Sequence, residues 1–268
     1  MLEFVSIGIG DVNLRVVDRG RGRPIVLMHG FPLDHTMWSA QIERLAGHWR
    51  VIAPDLRGFG GSEVTCGRVT MEQFADDLAA LLDALGIDEP VCLCGLSMGG
   101  YVAWDFWRKH AGRLRSLVLC DTRAAADTPE TARGRLEMSA RVLAEGTSFL
   151  PELMLPKLFA PATLQRKSEI VAATRETILS SDPHGVAAAA VGMAERRDAS
   201  AWLEEINVPA LVVVGEHDAI STVAEMRQIA AGMAAARLTV VPEAGHMSPL
   251  ENPCVVNAAL EEFLRSTK

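Results

Sequence analysis

One serine in this chain stands where a serine can become a nucleophile. Ser97 occupies Gly95-Leu-Ser97-Met-Gly99-Gly100, between an apolar run, Val91–Cys94, and a stretch of helical character, Tyr101–His110. A serine hydroxyl attacks poorly until one group takes its proton and others face the charge that develops in the reaction. The G-x-S-x-G spacing meets the second need through the backbone. A sharp strand-to-helix turn lifts the hydroxyl clear of the sheet and leaves it at a helix N-terminus, where free N–H groups favour negative charge. Neighbouring chain packs against such a turn, so small residues are needed two before and two after the serine, and Gly95 and Gly99 supply them. The competing reading is a serine N-cap on a glycine-rich turn.

The elements that must hold this turn can be read from the apolar pattern. Ile25–Met28, Val51–Ala53, Val91–Cys94, Leu117–Cys120 and Leu211–Val214 are short buried runs, and Leu238–Val241 reads as a last strand. They alternate with amphipathic stretches, which predicts a largely parallel sheet covered on both faces. Glu3–Ile7 and Val12–Val17 form an expected antiparallel pair around Gly8–Asp11. Thr70 with Gln73 and Thr222 with Glu225 have the spacing of capping boxes, Asn252-Pro253 that of an N-cap followed by proline, and Gly86 that of a helix stop after Phe74–Leu85. Strand-like runs are missing from 124–205, where Pro129, Gly146, Pro151, Pro156, Pro161, Pro183 and Gly185 punctuate helical segments. So long a stretch is no simple loop. The expected organisation is a core in two parts, 1–123 and 206–268, around an insert of about four helices, 124–205.

Composition narrows the function classes. With 268 residues, 49% of them hydrophobic, the chain can bury a large core without disulfides or metals. A formal charge of -8 and the lack of any Lys/Arg block argue against nucleic acid and anionic membranes as partners. No apolar run reaches the roughly 18–20 residues of a membrane span. The start, Met1–Gly8, lacks the basic and apolar regions of a secretory signal, so the expected location is cytoplasmic. Five cysteines fit neither a disulfide framework nor a zinc site, and Cys92, Cys94 and Cys120 read as small buried strand residues. Gly58-Phe-Gly-Gly61 has no Lys-Ser/Thr after it and is no P-loop, and Gly8-Ile-Gly-Asp11 precedes a strand rather than a helix, so neither points to a nucleotide. No metal and no cofactor are expected.

Taken together, His29-Gly-Phe-Pro32, Asp55-Leu-Arg-Gly-Phe-Gly-Gly-Ser62, Gly95–Gly100, Gly215-Glu-His-Asp218 and Gly245-His246 make the chain resemble the α/β-hydrolase superfamily from end to end. The resemblance implies a mostly parallel eight-stranded sheet flanked by helices, with a helical cap inserted after the sixth strand. It also implies a triad in the order Ser97, Asp218, His246, with His246 as base and Asp218 fixing its tautomer. Asp121, at the end of Leu117–Cys120, is the rival acid, because some members place the acid there; a plain turn aspartate is the bland alternative for Asp218. The implied oxyanion hole is the backbone N–H of Phe31 and of Met98. His29 is expected to brace the oxyanion loop, His217 to point elsewhere, and His48, His110 and His184 to face solvent or end helices.

A serine at this turn, in place of the aspartate of dehalogenases and epoxide hydrolases, restricts the chemistry to acyl transfer. The chain is most similar to 3-oxoadipate enol-lactonases and small carboxylesterases, with non-haem haloperoxidases close by. The expected substrate is therefore a small ester or lactone. Peroxide or C–C bond chemistry with the same triad is the alternative, and a ligand-binding receptor on this fold the non-enzymatic one. His35, Trp38, Met138, Met154, Phe159 and Met247 are expected to line the pocket, although cap core explains the apolar ones equally well and a helix start explains His35. Arg133, Arg135 and Arg141 are the cap cations available to a substrate carboxylate. A homo-oligomer is left open.

Overall fold

The computed structural model describes residues 4–267. Its sheet contains β1 (Val5–Gly8), β2 (Asn13–Arg19), β3 (Pro24–Met28), β4 (Arg50–Pro54), β5 (Val91–Leu96), β6 (Leu114–Cys120), β7 (Ala210–Gly215) and β8 (Ala236–Val241), in the spatial order β1-β2-β4-β3-β5-β6-β7-β8. Pairing is antiparallel for β1–β2 and β2–β4 and parallel from β4 through β8. Each expected strand is present. The first begins at Val5, and Glu3 of the expected span lies outside the described residues.

Every position of β3, β5 and β7 is buried. That is why these strands read as continuous apolar runs rather than alternating ones: helices cover both faces of a parallel sheet. The helices outside the insert are α1 (Ser39–Leu45), α2 (Met71–Ala84) and α3 (Met98–His110) on the N-terminal side. α2 packs on α3, and its buried stripe of Phe74, Leu78, Leu81 and Leu82 meets the core. Thr70 caps α2 by accepting the Gln73 N–H, but the expected reciprocal box does not form, because Gln73 Nε2 donates to Asp77 Oδ1 at 3.0 Å; Gly86 (φ 64) follows the helix end in the left-handed region, as expected. Phe74 is fully buried. Phe74→Ala should lower the unfolding free energy by about 3–5 kcal/mol in urea titrations, and a loss below about 1 kcal/mol would mean that the site collapses around the cavity.

Between β6 and β7 the chain forms α4 (Pro129–Glu145), α5 (Leu150–Leu158), α6 (Pro161–Arg166), α7 (Ser168–Ser180) and α8 (Pro183–Ala194), then a 3-10 turn, Ser200–Glu205. Five helices stand where about four were expected. The prolines mislead in one way: Pro129, Pro151, Pro161 and Pro183 open helices instead of breaking them, because a first-turn N–H has no helical partner to lose. Pro156 lies inside α5. α4 packs along α8, where the Ser139 hydroxyl donates to the Ala187 carbonyl at 3.1 Å. This insert is tied to the rest of the chain by hydrogen bonds that involve main-chain atoms of the core. Val69 N–H donates to Ala188 O at 3.2 Å, and Ser181 Oγ donates to the Pro32 carbonyl at 3.0 Å.

The chain ends with α9 (Val223–Gly232), α10 (Ser248–Glu251) and α11 (Pro253–Ser266), the last packing on α1. Thr222 and Glu225 form a reciprocal capping box on α9, and Asn252 caps α11 ahead of Pro253. Among the described residues no helix is long and apolar enough to cross a membrane.

Candidate active site

Ser97 is the single residue between β5 and α3, with φ 54 and ψ -111. The helix begins at Met98, three residues earlier than the apolar pattern suggests, so the turn is as tight as one residue allows. A non-glycine residue at positive φ costs on the order of 1–3 kcal/mol and persists only where its surroundings hold it there. Here they do. Ser97 N–H donates to the Cys120 carbonyl at 3.0 Å, and its own carbonyl accepts from Thr122 Oγ1 at 2.7 Å and from Gly100 N at 2.9 Å. The flanking glycines are required by contact: a Cβ on Gly95 would lie 2.3 Å from the Gly99 backbone, and one on Gly99 would lie 2.6 Å from the Met28 carbonyl oxygen.

Two loops from beyond β7 and β8 bring the other groups together. Asp218 lies three residues after β7 and His246 five after β8. His246 Nδ1 is 2.9 Å from Asp218 Oδ2, and both residues are buried. Among the described residues the ring's hydrogen-bond partners, Asp218 and Ser221, sit on the Nδ1 edge, which leaves Nε2 without a protein partner. Ser221 Oγ donates to Asp218 Oδ2 at 2.8 Å, while Asp218 Oδ1 accepts the Ile220 and Ser221 N–H groups at 2.7 and 3.0 Å. Burial alone would raise this carboxyl. The charge and hydrogen bond of His246, with the Ser221 donors, outweigh burial and hold it below the usual aspartate range. Asp218 is thus both a turn-capping aspartate and the partner of His246, one oxygen for each task.

Asp121, the rival, sits in the left-handed region (φ 47) directly after β6 and is fully buried. It makes no bond to His246. Its Oδ1 accepts Gly215 N–H at 2.8 Å, at the end of β7, and its Oδ2 accepts the Ser248 hydroxyl at the start of α10. Burial, with the Asp218 charge adding to it, pushes the Asp121 carboxyl well above its ordinary value. Asp121 thus ties the end of β7 to the start of α10 through a carboxyl whose burial disfavours the charged form.

The loop after β3 approaches from the other side. A Cβ on Gly30 would be 2.8 Å from Leu96 Cδ2 and 3.5 Å from Ser97 Cβ, so the Gly30 backbone runs close beside the serine turn. Met98, as the first residue of α3, has no intrahelical acceptor for its N–H. His29 braces the loop: Nδ1 is 2.9 Å from Gly30 O, and Nε2 accepts Leu56 N–H at 2.9 Å. Full burial lowers the proton affinity of this ring, so it stays neutral where an exposed histidine would charge. The unfolded chain takes that proton near pH 6.5. The stabilisation is therefore complete above about pH 6.5 and is lost as pH falls below it, at up to about 1.4 kcal/mol per pH unit. His29→Gln can keep both hydrogen bonds but not the titration. Urea midpoints between pH 6.5 and 5 should fall less steeply for that variant than for the wild type; parallel slopes would refute the assignment.

The residues expected to line a pocket are placed as follows. The His35 ring is 2.6 Å from Asp55 Oδ1 and stands edge-on to Phe4, and Trp38 is wholly buried in the core. Met138 and Met154 are half-buried on α4 and α5. Phe159 is buried at the end of α5, with its backbone against Gly245, and Met247 is buried with its N–H donating to Leu158 O at 3.1 Å. A cavity of about 210 Å³ opens between α7 and the turn at Leu33–Ser39, lined by Leu33, Met37, Ile170, Thr174 and Leu250. Arg135 pairs with Asp127, which Arg196 also contacts at 2.9 Å; Arg141 pairs with Glu145 at 2.9 Å, and Arg133 is exposed. Sequence reasoning missed Ser221, whose only signal is its place three residues after Asp218, where an aspartate turn puts an N–H donor. It also missed Ser248 and Glu251, which carry no such signal.

The family model for the alpha/beta hydrolase fold matches residues 23–253, and the chain belongs to that family. Among solved structures it is similar to a thermophilic esterase from Thermogutta terrifontis, at 46% identity over 99% of both chains with a TM-score of 0.96. It is also similar to the enol-lactonase from Burkholderia xenovorans, at 30% identity over 98% of this chain and all of that one, TM-score 0.90. The 3-oxoadipate enol-lactonase 2 of Acinetobacter baylyi is 27% identical over 257 residues, 95% of this chain and 94% of its own.

Proposed function

We propose that the protein is a serine hydrolase that cleaves small esters or lactones through an acyl-enzyme at Ser97. The observation that carries this reading is the buried Asp218–His246 pair, whose carboxylate claims Nδ1 and leaves Nε2 for a serine proton. Ser97 Oγ attacks the carbonyl carbon as its proton passes to His246 Nε2, and the carbonyl electron pair moves onto oxygen facing the Phe31 and Met98 N–H groups. Collapse of that adduct breaks the bond to the alcohol oxygen, which takes the proton from His246. In a lactone the alcohol stays attached to the acyl group. Water, giving its proton to Nε2, then attacks the acyl carbon; Ser97 leaves, recovers its proton and the acid departs. Both half-reactions conserve protons, so no cofactor enters. The likeness to an esterase and to enol-lactonases supports the carboxylic-ester class.

A fluorophosphonate probe tests the mechanism without knowledge of the substrate. One label per chain is expected, on the peptide that contains Ser97, together with hydrolysis of short p-nitrophenyl esters. A folded protein that neither labels nor hydrolyses any member of an ester and lactone panel would overturn the reading in favour of a binding protein.

A further inference from the structure

Glu251 is a charged side chain buried to 1% exposure, and the hydrolytic steps above give it no part. It is the last residue of α10, five after His246. Its Oε1 accepts Gly245 N–H at 2.7 Å, immediately before the histidine, and its Oε2 accepts Ala160 N–H at 2.9 Å, at the junction of α5 and α6. Two further contacts close the same seam: Met247 N–H donates to Leu158 O at 3.1 Å, and Lys167 Nζ donates to the Glu251 carbonyl. Gly245 leaves no room for slack, because a Cβ there would be 2.6 Å from Ala160 N and 3.2 Å from Glu251 Oε1.

We infer that Glu251 is a positioning residue, which fastens the loop of His246 to the exit of α5 so that the imidazole is held by the helical insert as well as by Asp218. Both amides are buried donors that need an acceptor, and one carboxylate satisfies both. A glutamine cannot: its single carbonyl oxygen serves one amide, and its NH₂ faces the other. The inference rests on His246 as the base. Misplacing a general base by about 1 Å can cost about 10²-fold in rate.

The test is Glu251→Gln, which keeps the shape of the side chain. Per fluorophosphonate-titrated site, kcat should fall by about 10- to 100-fold while KM stays within about threefold. The downfield proton signal of the His246 Nδ1–H should shift or broaden, and hydrogen exchange should accelerate together at 158–161 and 243–247. An unchanged kcat and proton signal would overturn the inference, as would acceleration in one segment alone. Should the variant not fold, native-state exchange of the wild type decides: Ala160 and Gly245 are expected to open in one event with equal protection, and unequal protection overturns the link. A wild type that hydrolyses nothing sinks the proposed function, while the exchange and proton signals still decide the role of Glu251.

Discussion

Ser97→Ala is expected to lower kcat by about 10⁴-fold or more and to abolish fluorophosphonate labelling, with the fold intact. The residual rate would come from what the variant still owns, the Phe31 and Met98 amides and the binding surface. A loss below about tenfold would exclude Ser97 as the nucleophile. The backbone gives a second readout. Ser97 holds φ 54 against the preference of any side chain, and glycine does not pay that strain. Ser97→Gly should therefore be as inactive as Ser97→Ala yet more stable than the wild type, by roughly 1 kcal/mol in urea titration. Inactivity together with a rise in stability is the mark of a strained functional residue; a framework residue would lose both.

The second large effect separates the two buried aspartates. Asp218→Asn presents an amide to His246 Nδ1, which favours the wrong tautomer, and kcat should fall by about 10⁴-fold. Asp121→Asn should stay within about tenfold of wild type, because an uncharged amide keeps both contacts: its oxygen accepts Gly215 N–H, and its NH₂ donates to Ser248 Oγ once that hydroxyl, which donates to Asp121 Oδ2 in the wild type, has turned away. Burial and the Asp218 charge already hold Asp121 towards its own neutral form. Steady-state kinetics on an ester that the wild type hydrolyses would decide the matter. Equal activity in the two variants would refute the assignment of Asp218.

How much of this was legible in the sequence depends on how local each signal is. The turn at Ser97 was readable because its requirements, two glycines and a following helix, lie within one turn of chain. The strands were readable because burial on both faces removes the alternation that would otherwise blur them. Asp218 and His246 were reached through resemblance, since nothing within either loop says that residues 28 apart will meet. Glu251 was invisible for a stronger reason. Its partner at Ala160 is a backbone amide 91 residues away, and a backbone amide leaves no trace in residue type. The helical insert fell between these cases: its helical character followed from the missing strands, but its prolines read as breaks when four of them start helices.

The Ser181 hydroxyl on the Pro32 carbonyl gives the insert a hold on the loop after β3, just as Leu158 gives it one on the loop of His246. An insert gripped at both places cannot swing aside as a free flap without dragging either Pro32 or Met247 with it. For anyone transplanting this segment onto a related enzyme, those two grips are the seams to preserve: a graft that omits them would alter turnover before it altered selectivity.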